Sequence, residues 1–107
     1  MSKIDYIKVV GVLGRTLKME TIDMKFQDSS TDRIEVTLGG QSVPEKKFQL
    51  LVSNFFIEIA FPAQYLQGRD LEKWLSSFEY ELEQAFLKNV DIHINSDSSR
   101  HTVKVSM

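Results

Sequence analysis

The chain has no cysteine, which excludes disulfides, thiolate metal sites and a cysteine nucleophile. Absence of cysteine also fits a reducing compartment. Proline is nearly as scarce, with two residues, and glycine numbers five, so no Pro/Gly-rich linker divides the chain and one domain is expected. No stretch approaches the roughly 20 apolar residues that a membrane helix needs. The opening stretch, Met1 to Arg15, is interrupted by Asp5 and Lys8 and lacks a small-residue cleavage site, so it does not read as a signal peptide. These absences predict a soluble, cytoplasmic protein. A strong charge imbalance is missing too: 13 Lys plus Arg stand against 15 Asp plus Glu, for a net charge of −2. The basic residues are scattered, with Lys46–Lys47 the only adjacent pair, so nucleic-acid binding through a broad basic surface is not expected.

What is present suits a globular domain. The chain has 107 residues, 42% of them apolar and 26% charged, enough to bury a core without staples. The clearest element is a helix over Asp70 to Lys88. Leu71, Trp74, Leu75, Phe78, Leu82, Ala85 and Phe86 recur at three- and four-residue steps, which gathers them on one stripe. Asp70 is expected to cap the first turn, and Lys88 to sit in the last turn against the negative helix end.

The remaining chain reads as strands. Residues 2–13 lean to a helix capped by Ser2 and ended by Gly14, although Val9, Val10 and Val12 are β-branched. Leu17 to Gln27 reads as a strand whose inward parity flips, which calls for a β-bulge at Thr21–Ile22. Arg33 to Leu38 alternates and is broken by Gly39-Gly40. Lys47 to Val52 and Phe55 to Phe61 follow, with their parities related by a tight hairpin at Ser53-Asn54. Val90 to Ile94 and Thr102 to Ser106 close the chain. The predicted fold class is α+β: a two-layer structure in which a twisted antiparallel sheet, in the order α-β-β-β-β-α-β-β, packs against one long helix over 70–88. The other sheet face would carry Lys25, Arg33, Glu35, Thr37, Gln49, Leu51, Phe56 and Glu58. Leu51 and Phe56, with Tyr6 or Met107 near them, would form an interface if contiguous.

No residue pattern points to catalysis. Gly39-Gly40 does not open a helix, so it is no phosphate loop. None of the serines sits in a nucleophile elbow. His93 and His101 are half of a zinc site without a third ligand of recognisable spacing, and read as solvated strand histidines. No metal and no cofactor is expected.

The remaining candidates are contact residues. Glu72, Glu79 and Glu83 share one helix face, with Tyr80 beside them, and Asp28, Asp32, Asp91 and Asp97 sit in or near polar turns. Carboxylates around a tyrosine suit a protein contact. No family motif is recognisable. The overall profile resembles that of bacterial immunity proteins, inhibitors and adaptor modules, a likeness of class alone. The expected function is a stoichiometric protein-binding module, an immunity-type inhibitor that covers the active site of a cognate toxin, such as a basic nuclease. The alternative is a phage or secretion-system assembly protein that oligomerises through its sheet.

Overall fold

The computed structural model describes residues 4–27 and 32–107. In chain order come α1 (Tyr6–Thr16), β1 (Thr21–Phe26), β2 (Arg33–Gly40), β3 (Val43–Val52) and β4 (Phe56–Pro62). A short 3-10 turn (Ala63–Tyr65), α2 (Gly68–Phe86), β5 (Asp91–Ser96) and β6 (Arg100–Ser106) follow. The six strands make one antiparallel sheet in the order β1-β2-β3-β4-β6-β5. This is the predicted α+β architecture, except that two helices rather than one cover the sheet. Among the described residues no helix is long and apolar enough to cross a membrane.

The first helix starts later and runs further than expected. Asp5 caps it, its carboxylate accepting the Lys8 N–H at 3.3 Å, while Ser2 lies outside the described residues. Val9, Val10 and Val12 are 0–2% exposed, so burial outweighs their weak helix propensity. Gly14 does not end the helix. It admits Ile22, whose Cδ1 lies 3.1 Å from where a Cβ would stand. The chain turns instead at Leu17 and Lys18, the latter in the left-handed region at φ 58°. Leu17 and Met19 therefore belong to the connector and pack against the core from there. No bulge lies at Thr21–Ile22: β1 pairs without interruption from Thr21↔Gly39 to Phe26↔Ile34. The apparent flip of parity came from reading a helix-to-strand connector as strand.

A bulge does occur, between β2 and β3. Leu38 opposes Lys46 and Gly40 opposes Val43, leaving Pro44 and Glu45 against Gly39. A bulged position suits proline, which has no N–H to give the ladder. Gly39 and Gly40 thus stay in the strand rather than breaking it, and the turn falls on Gln41 and Ser42 (φ 65°). A Cβ at 39 would stand 2.9 Å from Thr21 Oγ1 on β1, so a larger residue there would have to displace that side chain.

The β3–β4 hairpin exists, but its two loop residues are Asn54 and Phe55. Ser53 N–H donates to the Phe56 carbonyl at 2.9 Å, and Ser53 Oγ accepts the Phe56 N–H at 3.0 Å. Asn54 keeps a negative φ, so the turn relies on the serine hydroxyl rather than on left-handed asparagine. Phe55 leaves the strand and is 59% exposed instead of inward.

The second helix begins at Gly68 with Gln67 as its cap, two residues before the expected start, which places Asp70 inside the first turn. It ends at Phe86, with Leu87 left-handed at φ 56° and Lys88 beyond the last turn. Its apolar stripe meets α1 and the sheet around Phe61. The Phe61 ring touches Phe48, Tyr65, Trp74 and His101 at centroid distances of 5.3–6.4 Å. Trp74 stacks on Phe78 at 4.9 Å and is 5% exposed. Its indole N–H donates to Thr16 Oγ1 at 3.0 Å, and that hydroxyl donates back to the α1 carbonyl of Val12 at 2.9 Å. Trp74→Ala should therefore cost about 3–5 kcal/mol, as large-to-small core changes do. Chemical denaturation measures that loss, and the native tryptophan emission should be blue-shifted and poorly quenched by iodide.

Candidate functional site

The acidic residues of α2 divide by what the fold asks of them. Glu83 is structural: its Oε2 accepts the Val90 N–H at 3.1 Å, closing the passage from α2 into β5. Glu81 pairs with Arg15 of α1 at 3.2 Å, with both side chains well exposed, so the pair adds little stability. Glu72 and Glu79 are exposed and make no ion pair or hydrogen bond with any described residue. They stand two helical turns apart, about 10.5 Å along the axis. Tyr80, 62% exposed, has no ring or hydroxyl partner among the described residues either.

The turn acids lie elsewhere. Asp32 precedes β2, where its carbonyl accepts the Val52 N–H at 2.7 Å. Asp91 starts β5 opposite Ser106, with its side chain on the uncovered sheet face, away from the helices. Asp97 builds the β5–β6 turn: its Oδ1 accepts the Ser99 N–H at 2.8 Å, the Ser99 hydroxyl at 3.0 Å and the Arg100 N–H at 2.9 Å. The backbone bond from Ser99, then its hydroxyl, then the Arg100 N–H and charge hold the carboxyl below the ordinary 3.8. Asp28 lies outside the described residues. The structure thus brings together Glu72, Glu79, Tyr80 and Glu83, and leaves Asp32, Asp91 and Asp97 at separate places.

The histidines do not face each other. His93 opposes Lys104 on the uncovered face, whereas His101 opposes Ser96 on the helix side. His101 is 7% exposed rather than solvated. Its Nε2 lies 2.9 Å from the Leu66 carbonyl and its Nδ1 2.6 Å from Ser96 Oγ. A carbonyl only accepts, so Nε2 carries a proton, and in the neutral ring Nδ1 then accepts from the serine hydroxyl. His101 is a core histidine that ties the turn before α2 to the sheet. Among the described residues no three His, Asp or Glu side chains gather as metal ligands.

The uncovered face holds a feature that sequence reasoning missed. Arg100 opposes Pro62, and Lys47 stands on the other side of that proline. The short ring leaves a depression of about 360 Å³, bordered by Lys47, Ala60, Pro62, Tyr65 and Arg100. Residues so far apart in sequence share no motif, and only strand register brings the two cations together. At the opposite end of the face, Leu51 and Phe56 border a second depression of about 440 Å³. Tyr6 is not near them; it packs edge-to-face on Phe26 at 6.0 Å in the helical layer. Met107 packs against the core rather than on that face. No family model matches the chain, and no curated protein or solved structure is significantly similar to it.

Two expectations follow for the carboxylates. Glu83→Ala should destabilise the fold by about 1–3 kcal/mol, the penalty for losing a charged acceptor to a backbone donor. Glu79→Ala should shift stability by no more than about 0.5 kcal/mol, as exposed changes do. Urea denaturation of the two variants separates them. A carboxyl whose folded pKa is lowered contributes stability that is complete above its unfolded value and fades as pH falls through the folded one. Carboxyl NMR titration should accordingly place the Asp97 midpoint below 3.8, and Asp97→Asn should remove that part of the acid dependence of stability.

Proposed function

We propose that this chain is a stoichiometric protein-binding module, an immunity-type inhibitor that neutralises a toxin by docking the outer face of α2 over the toxin's active site. The observation that carries this reading is the group Glu72, Glu79 and Tyr80: two carboxylates and a largely exposed phenol without partners among the described residues. A helix of this length holds them at a set spacing, with the α2 stripe beneath anchored by Trp74, Phe78 and Leu82. Such a preorganised surface loses little entropy on binding. Tyrosine supplies contact area with few rotatable bonds and a hydroxyl for hydrogen bonding. Carboxylates complement a cationic partner, and for a basic nuclease they would take the positions of substrate phosphates.

Charge on such a face acts mainly on the encounter rate and is weakened by salt. Capture of the partner from native-host lysate on the immobilised chain, followed by stopped-flow association across a salt series, tests the reading. Glu72→Lys combined with Glu79→Lys should leave the fold intact and slow association severalfold at low salt. Tyr80→Ala should chiefly speed dissociation. On-rates that ignore both salt and the charge reversal would remove the α2 face from the contact.

A further inference from the structure

The β1 edge of the sheet carries a pattern complementary to itself. No described residue pairs with its outer side. Thr21, Asp23 and Lys25 point to the uncovered face, while Ile22, Met24 and Phe26 share the helix side with their β2 partners Leu38, Val36 and Ile34. Although on the core side, Ile22 and Phe26 remain 43% and 42% exposed. Asp23 and Lys25 make no ion pair or hydrogen bond with any described residue. Lys25 stands opposite Glu35, but Glu35 accepts from Gln49 instead.

We propose that β1 is the docking edge for a second copy of this chain, the two β1 strands pairing antiparallel about a twofold axis at Met24. In that register Asp23 lies opposite the second copy's Lys25, Lys25 opposite the second copy's Asp23, and Ile22 opposite the second copy's Phe26. Each contact occurs twice, as an isologous interface requires. Two constraints restrict the register, and of the axes they leave only the one at Met24 sets Asp23 against Lys25. An axis perpendicular to the sheet pairs positions of like face, so Asp23 cannot oppose Met24 without inverting one copy's helical layer. Moving the axis to Asp23 or to Lys25 sets like charges directly opposite at the dyad, which is destabilising. Charges on an edge strand ordinarily repel further strands. Opposite signs two residues apart instead attract the strand's own antiparallel copy. The joined sheets would cover Ile22 and Phe26 and leave no open edge at β1. The contact lies beside α1, with α2 on the far side of that helix, so it stands or falls separately from the inhibitor reading.

Analytical ultracentrifugation of the full chain over a concentration series tests the proposal. Wild type should show a reversible monomer–dimer equilibrium that weakens with salt. Asp23→Lys or Lys25→Asp alone should raise the dissociation constant about 100-fold, because each turns two attractive pairs into repulsive ones. The double exchange D23K/K25D should restore the dimer, and an equimolar mixture of the two single variants should form a heterodimer. Met24→Cys, in a chain with no other cysteine, should crosslink to its own copy on mild oxidation, since directly opposed strand residues fall within disulfide range. That readout decides the matter even where a charge variant fails to fold. A monomer at every concentration, assemblies larger than a dimer, a dimer indifferent to the charge exchanges, or an uncrosslinked Met24→Cys variant would each overturn the proposal.

Discussion

The Phe61 ring is where the layers of this protein join. It stands on the helix side of β4, with Phe48 of β3 and His101 of β6 beside it, and it receives Trp74 edge-on from α2. Aromatic pairs in tilted and edge-to-face arrangements add specific geometry to the area they bury. Trp74 then reaches α1 through Thr16. One ring and one indole thus set where both helices lie on the sheet. His101 secures the same region from the other side, fixing Leu66 just before α2 starts. The direction in which α2 leaves the sheet, and so the orientation of its outer face, depends on this cluster.

That dependence separates the supporting acids from the available ones. Glu83 closes the end of α2 against Val90, and Asp97 closes the last hairpin. Both satisfy backbone donors that would otherwise lack partners. Glu81 is drawn to Arg15. Glu72, Glu79 and Tyr80 have no side-chain partner among the described residues, which is why the proposed binding role is assigned to them. The uncovered sheet face follows a different logic. It is mixed in character, with Lys25, Glu35, Gln49, Ala60, Thr102 and Asn95 in register across it, and its cations at Lys47 and Arg100 border one depression through strand register. The β1 edge is a third surface, defined by the order of the strands.

Much of the architecture was legible because it rests on periodicity. The α2 stripe and the strict alternation in β2, β3, β4 and β6 each point one set of side chains inward, and those sets form the core. The misreadings fell where local geometry decides. The Leu17–Glu20 connector imitates a strand because its apolar residues also turn inward. The bulge could not be assigned to Pro44 without knowing that β1 crowds Gly39. The hairpin slipped by one residue because the Ser53 hydroxyl, rather than a left-handed asparagine, satisfies the turn.

The sequence by itself determined the composition of the core, the existence of the long helix and the α+β class, because each depends on residue spacing along a single element. It also singled out the acidic positions of α2. Only the tertiary structure decided which of those acids are free, because that depends on what lies opposite: a backbone N–H for Glu83, a guanidinium for Glu81, solvent for Glu72 and Glu79. The structure alone also placed His101 in the core, inserted β6 between β4 and β5, and left β1 at the edge with Asp23 and Lys25 unpaired among the described residues. Strand order and burial are properties of contacts between distant segments, and spacing along one segment does not encode them.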